Sequence, residues 1–204
     1  QIIHPQFWDE SLEYEDKKIA VIGSGATAIT IVPAIAEKAE HVVMIQRSPT
    51  YVVSGPSEDS INKSLRKILP VKLTYFLIRW KNILYQSFTF FMARKYPERT
   101  KHKILELAKD ELGSDYDIDK HFTPSYKPWD QRICLVPDSD LFEAINNKKA
   151  SVITDTIDEF QSDGILLNSG EKVEADIIIT ATGIELNSLN DINVSIDNEK
   201  VNPN

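Results

Sequence analysis

Residues 17–48 read KKIAVIGSGATAITIVPAIAEKAEHVVMIQRS, and the order of patterns within them decides the fold. Residues 19–22 are an uninterrupted apolar run, residues 23–25 a glycine turn, residues 27–38 an apolar helix, and residues 42–46 a second apolar run. Strands that are apolar along their whole length are buried on both faces, which happens in parallel sheets covered on both sides. The expected fold is therefore α/β and Rossmann-like, built on a parallel sheet. Pro33 falls inside the expected helix and removes the bond to the carbonyl of Ile29, so a kink is expected there.

The turn carries chemistry as well as direction. Gly23-Ser24-Gly25-Ala26-Thr27-Ala28 fits G-x-G-x-x-A, directly after a strand and opening a helix. Gly23 permits the tight turn, Gly25 lets the backbone approach a pyrophosphate, and Ala28 allows close helix–strand packing; the phosphates then meet the positive end of the helix. With strand, turn, helix and second strand in register, these six residues are expected to bind a dinucleotide; the alternative is a merely structural glycine turn.

The end of the second strand selects which dinucleotide. An NAD site places Asp or Glu there, about 20 residues past the glycines, to bond the ribose 2′-hydroxyl. This chain has Gln46-Arg47-Ser48 instead. Arg47 can fork onto a 2′-phosphate and Ser48 can donate to it, so NADPH is favoured over NADH and over FAD. The alternative for Arg47 is an ordinary surface cation.

Residues 57–112 change to helical period, with Leu65, Ile68, Leu69, Leu73, Phe76, Leu77, Trp80, Ile83, Leu84, Phe88 and Phe91 recurring three or four apart. They read as an inserted helical subdomain broken near Pro70 and Pro97. Tyr75, Phe76, Trp80 and Phe88 are expected to pack in its core, lining of a substrate channel being the alternative. Residues 113–137 read as loop. A short helix follows with Asp138 or Ser139 as N-cap and Leu141, Phe142 and Ile145 inward. SVITDTIDEF (151–160), GILLNSGEKV (164–173) and DIIITATG (176–183) read as short strands, with turns at Asp163-Gly164 and Ser169-Gly170, and supply a β-meander. The last strand ends in Ala181-Thr182-Gly183, where small residues let a strand pass close to a nucleotide. The nucleotide domain is thus expected in two parts, 17–56 and 113–183, around the insertion.

Composition narrows the classes. The chain has 204 residues and a formal charge of −8, against nucleic-acid binding, which draws its affinity from Lys and Arg on phosphate. Charge is uneven: residues 61–110 hold 12 of the 23 Lys and Arg, forming a basic helical island. That island reads as a solvated face, as a contact for an acidic partner, or as a weak peripheral contact with an anionic membrane surface. Arg79 and Lys81 interrupt the most apolar stretch, residues 73–92, so a membrane-spanning helix is not expected. Cys134 is the only cysteine, which excludes an internal disulfide and makes the reducing cytoplasm the expected compartment. The four His lack ligand spacing, and no metal site is expected.

Five stretches, HPQFW (4–8), the glycine turn, QRSPTYV (46–52), YKPWDQRICLVPDSD (126–140) and ADIIITATG (175–183), stand in an order and spacing that resemble flavin-dependent monooxygenases of the Baeyer–Villiger type. The style is closest to the branch containing ethionamide-activating monooxygenases. The family fingerprint F-x-G-x-x-x-H-x-x-x-W-(P/D) is matched from its His onward by His4, Trp8 and Asp9. The resemblance implies two dinucleotide sites on separate domains, one for FAD and one for NADP(H), with the single glycine fingerprint here belonging to NADPH. Residues 1–16 would then be a linker from the FAD domain and 184–204 a segment returning to it, the rest of that domain lying outside this chain.

The implied reaction puts one oxygen atom of O2 into a ketone, or onto sulfur in a thioether, and the isolated chain is expected to be inactive without the FAD domain. A flavin monooxygenase acting on nitrogen or sulfur nucleophiles, or a non-catalytic NADPH-binding module, are the alternatives. Arg132 resembles the arginine that provides a fixed positive charge beside the flavin, an ordinary surface ion pair being the alternative. Gln131 stands where the family often has a Lys on the 2′-phosphate, leaving more of that contact to Arg47. His4, Trp8 and Asp9 would couple the two cofactor positions across the domain junction.

Overall fold

A computed structural model describes residues 1–184, 194–197 and 199–201. The expected return segment lies mostly outside the described residues. In chain order the first half runs β1 (Ile2–Ile3), β2 (Lys18–Ile22), α1 (Ala26–Ala36), β3 (His41–Gln46), β4 (Tyr51–Gly55), α2 (Ser60–Arg66), α3 (Val71–Lys95) and α4 (Pro97–Leu112). The second half runs α5 (Ile118–His121), β5 (Ile133–Pro137), α6 (Asp140–Asn146), β6 (Ala150–Thr154), β7 (Ile157–Gln161), β8 (Gly164–Leu167), β9 (Lys172–Glu174) and β10 (Ile177–Thr180), ahead of a strand pair, β11 (Val194–Ile196) and β12 (Glu199–Val201).

The main sheet is parallel throughout, in the order β1-β10-β2-β3-β6. Its strands are apolar on both faces because both are covered. On one side α1 and α6 bury Val32, Ile35, Leu141 and Phe142 against β2 and β3; on the other, the antiparallel meander β7-β8-β9 seats Ile165, Leu167 and Val173 over Ala20, Ile45 and Ile178. From β2 the chain steps one way to β3 and β6, while β10 and β1 lie on the other side. That reversal leaves a crevice at the carboxyl ends of β2 and β10, where open α/β sheets take their ligands.

Three local expectations need correction. Residues 113–137 are not all loop: α5 and β5 lie within them, and β5 pairs in parallel with β4, Tyr51 opposite Ile133. Such a pair joins segments some eighty residues apart, which no local window sees. The helices of the insertion break at Pro70 and Pro97 as expected, but only Thr74, Ile78 and Ala93 of α3 are buried. Tyr75, Phe76, Trp80 and Phe88 are exposed, as are Leu73, Leu77, Ile83, Leu84 and Phe91, because α3 carries more apolar residues than α2 and α4, which pack on it within the insertion, can cover. Ser139 is the N-cap of α6 by position, in left-handed backbone at φ 63°, yet its hydroxyl bonds Ser54 and Glu111 rather than the helix.

Gln46 is buried and ties three segments together. Its amide donates to the His121 carbonyl at 2.7 Å and to Thr154 Oγ1 at 2.9 Å. The Thr154 hydroxyl, 2.9 Å from His121 Nδ1, is then free to donate to a neutral ring. Burial, with Lys120 adding and Asp117 opposing, holds the His121 pKa below its ordinary 6.5. The unfolded chain therefore takes up a proton near pH 6.5 that the folded ring accepts only at lower pH, so stability is lost as pH falls through that window. The urea midpoint is expected to drop between pH 7.5 and 5.5, and His121→Gln to flatten that part of the profile.

Candidate functional site

A cavity of about 580 Å³ opens at the carboxyl ends of β2, β3 and β10. Its floor is the glycine turn, Gly23 to Thr27; one wall is the β3–β4 connection, Arg47 to Thr50; the other is Ala181 to Gly183; and Tyr126, Gln131 and Arg132 close over it. Of the expected dinucleotide residues, only Ala28 does not line the cavity. It is fully buried, and its small side chain acts in the packing of α1 on the sheet instead.

The turn is shaped by backbone proximity. Gly23 has φ +135°, and a Cβ there would stand 2.4 Å from the Ala181 carbonyl oxygen. Its N–H donates to the Ile45 carbonyl at 2.8 Å, so one residue joins β2, β3 and β10. Ser24 Oγ donates to the Ser48 carbonyl at 3.1 Å and lies 3.1 Å from Thr50 Oγ1, drawing the Arg47–Thr50 wall onto the turn. Gly25 caps α1 without a side chain, so the first N–H groups of this eleven-residue helix face the cavity uncommitted. A Cβ on Gly25 would lie 3.2 Å from an Arg132 guanidinium nitrogen, which places that cation beside the helix N-terminus.

Arg132 is positioned from a distance. The buried Tyr51 donates to the Tyr126 carbonyl at 2.6 Å and meets the Tyr126 ring edge-on at 5.3 Å. Burial pushes the Tyr51 phenol up to about 12, so it stays a donor. From the insertion, Phe90 packs against Trp129 with centroids 5.5 Å apart, and Arg94 pairs with Asp130. Lys101 adds a bond to the Pro124 carbonyl at 2.8 Å. The helical insertion thus braces the loop that carries Gln131 and Arg132. Neither Arg47 nor Arg132 has a carboxylate within ion-pair distance among the described residues, so both present free guanidinium charge to the cavity. Cys134, two residues on, is buried with its thiol pushed up by burial and offers no nucleophile.

His4, Trp8 and Asp9 do not line the cavity. His4 follows β1 and its Nδ1 accepts from the Gln6 N–H at 3.2 Å, capping a short 3-10 turn over Pro5–Phe7; Asp9 accepts from Ser11. Sequence reasoning missed Thr50 and Tyr126. The aromatic and β-branched run Tyr51-Val52-Val53, bounded by Gly55 and Pro56, is the signal that finds the strand beside Thr50; Tyr126 has no local signal.

The cradle of bare backbone, the helix N-terminus and two free cations suit a ligand with a pyrophosphate and further negative charge. The sequence model of flavin-binding monooxygenase-like proteins matches residues 1–202. The chain belongs to this family. It is 51% identical over 201 residues to the FAD-containing monooxygenase EthA of Mycobacterium tuberculosis strain H37Rv, covering 98% of this chain and 41% of the relative. To the probable FAD-binding monooxygenase AlmA of Acinetobacter baylyi it is 48% identical, covering 98% and 40%. The flavin-binding monooxygenase-like chain therefore spans about two fifths of the length of these curated relatives. It shares its fold with part of monooxygenases of known structure. A steroid monooxygenase bound to NADP superposes with a TM-score of 0.68 at 19% identity, over 90% of this chain and 42% of that one. OTEMO in complex with FAD and NADP gives 0.66 at 18% identity, over 90% and 42%.

Gly23→Ala places a side chain against the Ala181 carbonyl in a backbone region that L-residues rarely adopt. It is expected to lower unfolding free energy by about 1–3 kcal/mol, measured by urea titration, whereas Gly25→Ala, at φ −83°, costs less and displaces only the tip of Arg132.

Proposed function

We propose that this chain is the NADPH-holding portion, residues 17–56 and 113–183, of an FAD-dependent monooxygenase that puts one oxygen atom of O2 into ketones or onto sulfur. The observation that carries the reading is the convergence of Arg47, Arg132 and the Gly23–Ala26 turn on one cavity at the sheet's switch point. A pyrophosphate suits the α1 N-terminus, and a 2′-phosphate suits Arg47 with Ser48 beside it. Gln131, neutral and adjacent, can donate a hydrogen bond but adds no charge. FAD, when bound by the parent protein, supplies the activation of O2 with electrons that come from NADPH.

Arg132 has a different part. Its planar guanidinium is held by a braced loop rather than a flexible tail. It can stabilise negative charge that builds on oxygen in the transition state without reorganising at the moment of reaction. Ala181, Thr182 and Gly183 leave the sheet over the cavity with little side-chain bulk, so a nucleotide has room beside β10. On this reading His4, Trp8 and Asp9, which follow β1 beside β10, couple the two cofactor positions rather than react.

The test uses the parent-length protein with FAD, given NADPH, cyclohexanone and a thioether. The reading expects a lactone and a sulfoxide, and Arg132→Ala should reduce lactone formation by about 10²–10³-fold while NADPH is still consumed. Sulfoxide without lactone assigns the enzyme to the branch acting on nitrogen and sulfur nucleophiles. Lactone formation undiminished in Arg132→Ala removes Arg132 from the reaction.

A further inference from the structure

A second groove, of about 410 Å³, lies between α2 and α3, away from the nucleotide cavity. Its polar lining is Asn62 and Arg66 from α2 and Tyr75, Arg79, Asn82 and Gln86 from α3. The α3 residues are spaced i, i+4, i+7, i+11 and so share one helix face. Every one of the six can donate a hydrogen bond, and none carries negative charge.

The two guanidiniums are held but not neutralised. Arg66 Nε donates to Asn62 Oδ1 at 3.0 Å and an Arg79 terminal nitrogen donates to the Tyr75 hydroxyl at 3.3 Å. Both partners are neutral, which leaves most of each fork for another acceptor. The nearest acids in sequence are already satisfied: Glu58 pairs with Lys63, and Asp59 pairs with Lys81 while capping α2 through the N–H groups of Ile61 and Asn62. From Ser60 to Pro97 the chain contains no Asp or Glu at all. The groove is therefore positive, with no carboxylate on either of the two helices that line it, and the Asp59–Lys81 pair fixes the spacing of its two walls.

An apolar track adjoins it. Ile83 lines the groove, and Phe76 and Trp80, edge-to-face with centroids 6.3 Å apart, continue around α3 on exposed surface. We propose that this groove binds the oxyanion headgroup of an anionic amphiphile, Arg66 and Arg79 gripping the headgroup and the Phe76–Trp80–Ile83 track taking the alkyl chain. A bare inorganic anion uses only the first half of this surface, and a neutral amphiphile only the second. The inference stands apart from the dinucleotide reading, since none of its residues lines that cavity.

The probe is monododecyl phosphate, titrated calorimetrically into the chain below its micellar concentration, with inorganic phosphate and dodecanol as the two halves of the ligand. Saturable binding is expected, about tenfold or more tighter than either half, and weakened at least about tenfold by Arg66→Gln/Arg79→Gln. These exposed helical positions accept Gln without loss of fold, which circular dichroism checks. Lys109→Gln/Lys149→Gln makes the same change in net charge elsewhere and should leave binding intact. Phosphatidylglycerol vesicles then separate the sources: competition that depends on the two arginines supports a headgroup taken from a bilayer, and no competition supports a free amphiphile. Absence of saturable binding, inorganic phosphate binding as tightly, or a folded double arginine variant binding as before would each overturn the proposal.

Discussion

The arrangement depends on one backbone contact, the approach of Gly23 to the Ala181 carbonyl. With no side chain between them, the ends of β2 and β10 lie close enough for a single turn to serve both halves of the sheet. The same residue bonds the end of β3 through its N–H. Three strand ends are thereby fixed at one point, and the first turn of α1, the Arg47–Thr50 wall and the Ala181–Gly183 exit take their positions from it. Every element that faces the cavity is within a few residues of this junction, apart from the loop that carries Arg132.

That loop shows what the helical insertion contributes. A guanidinium on a free loop would spend much of its time in solvent and would have to be ordered on binding, at a cost in conformational entropy. Here Tyr51 anchors Tyr126 from below, while Phe90 and Arg94 anchor Trp129 and Asp130 from α3. Trp129 is held at φ 68°, in left-handed backbone, so the turn into β5 is over-determined by its neighbours. The insertion thus has two faces with separate physics. One braces a cation over the cavity at the strand ends; the other leaves apolar side chains of a long helix and a pair of arginines without carboxylate partners among the described residues on the surface.

Much of this was legible in the sequence because it depends on local pattern. The apolar runs, glycine turn and helix in residues 17–48 are contiguous, and each later stands where its period put it. The breaks at Pro70 and Pro97 follow from the missing N–H of proline. What stayed hidden depends on partners far along the chain. The β4–β5 ladder, and with it the place of Tyr51 and Tyr126, requires a pairing across the whole insertion. The exposure of Phe76, Trp80 and Phe88 was equally invisible, since helical spacing reports that a stripe is apolar and not whether anything covers it. Arg132 was found by likeness to a family, whereas its nearness to Gly25 is a product of the fold alone.

The central claim is that the cavity is built for a dinucleotide bearing a 2′-phosphate. Its most direct test is the dissociation constant of NADPH and of NADH for the chain and for Arg47→Ala. The account predicts that the substitution weakens NADPH by about 10–100-fold, the loss of a charge-assisted bond, and leaves NADH almost unchanged. Equal losses for both, or no loss for either, would contradict it.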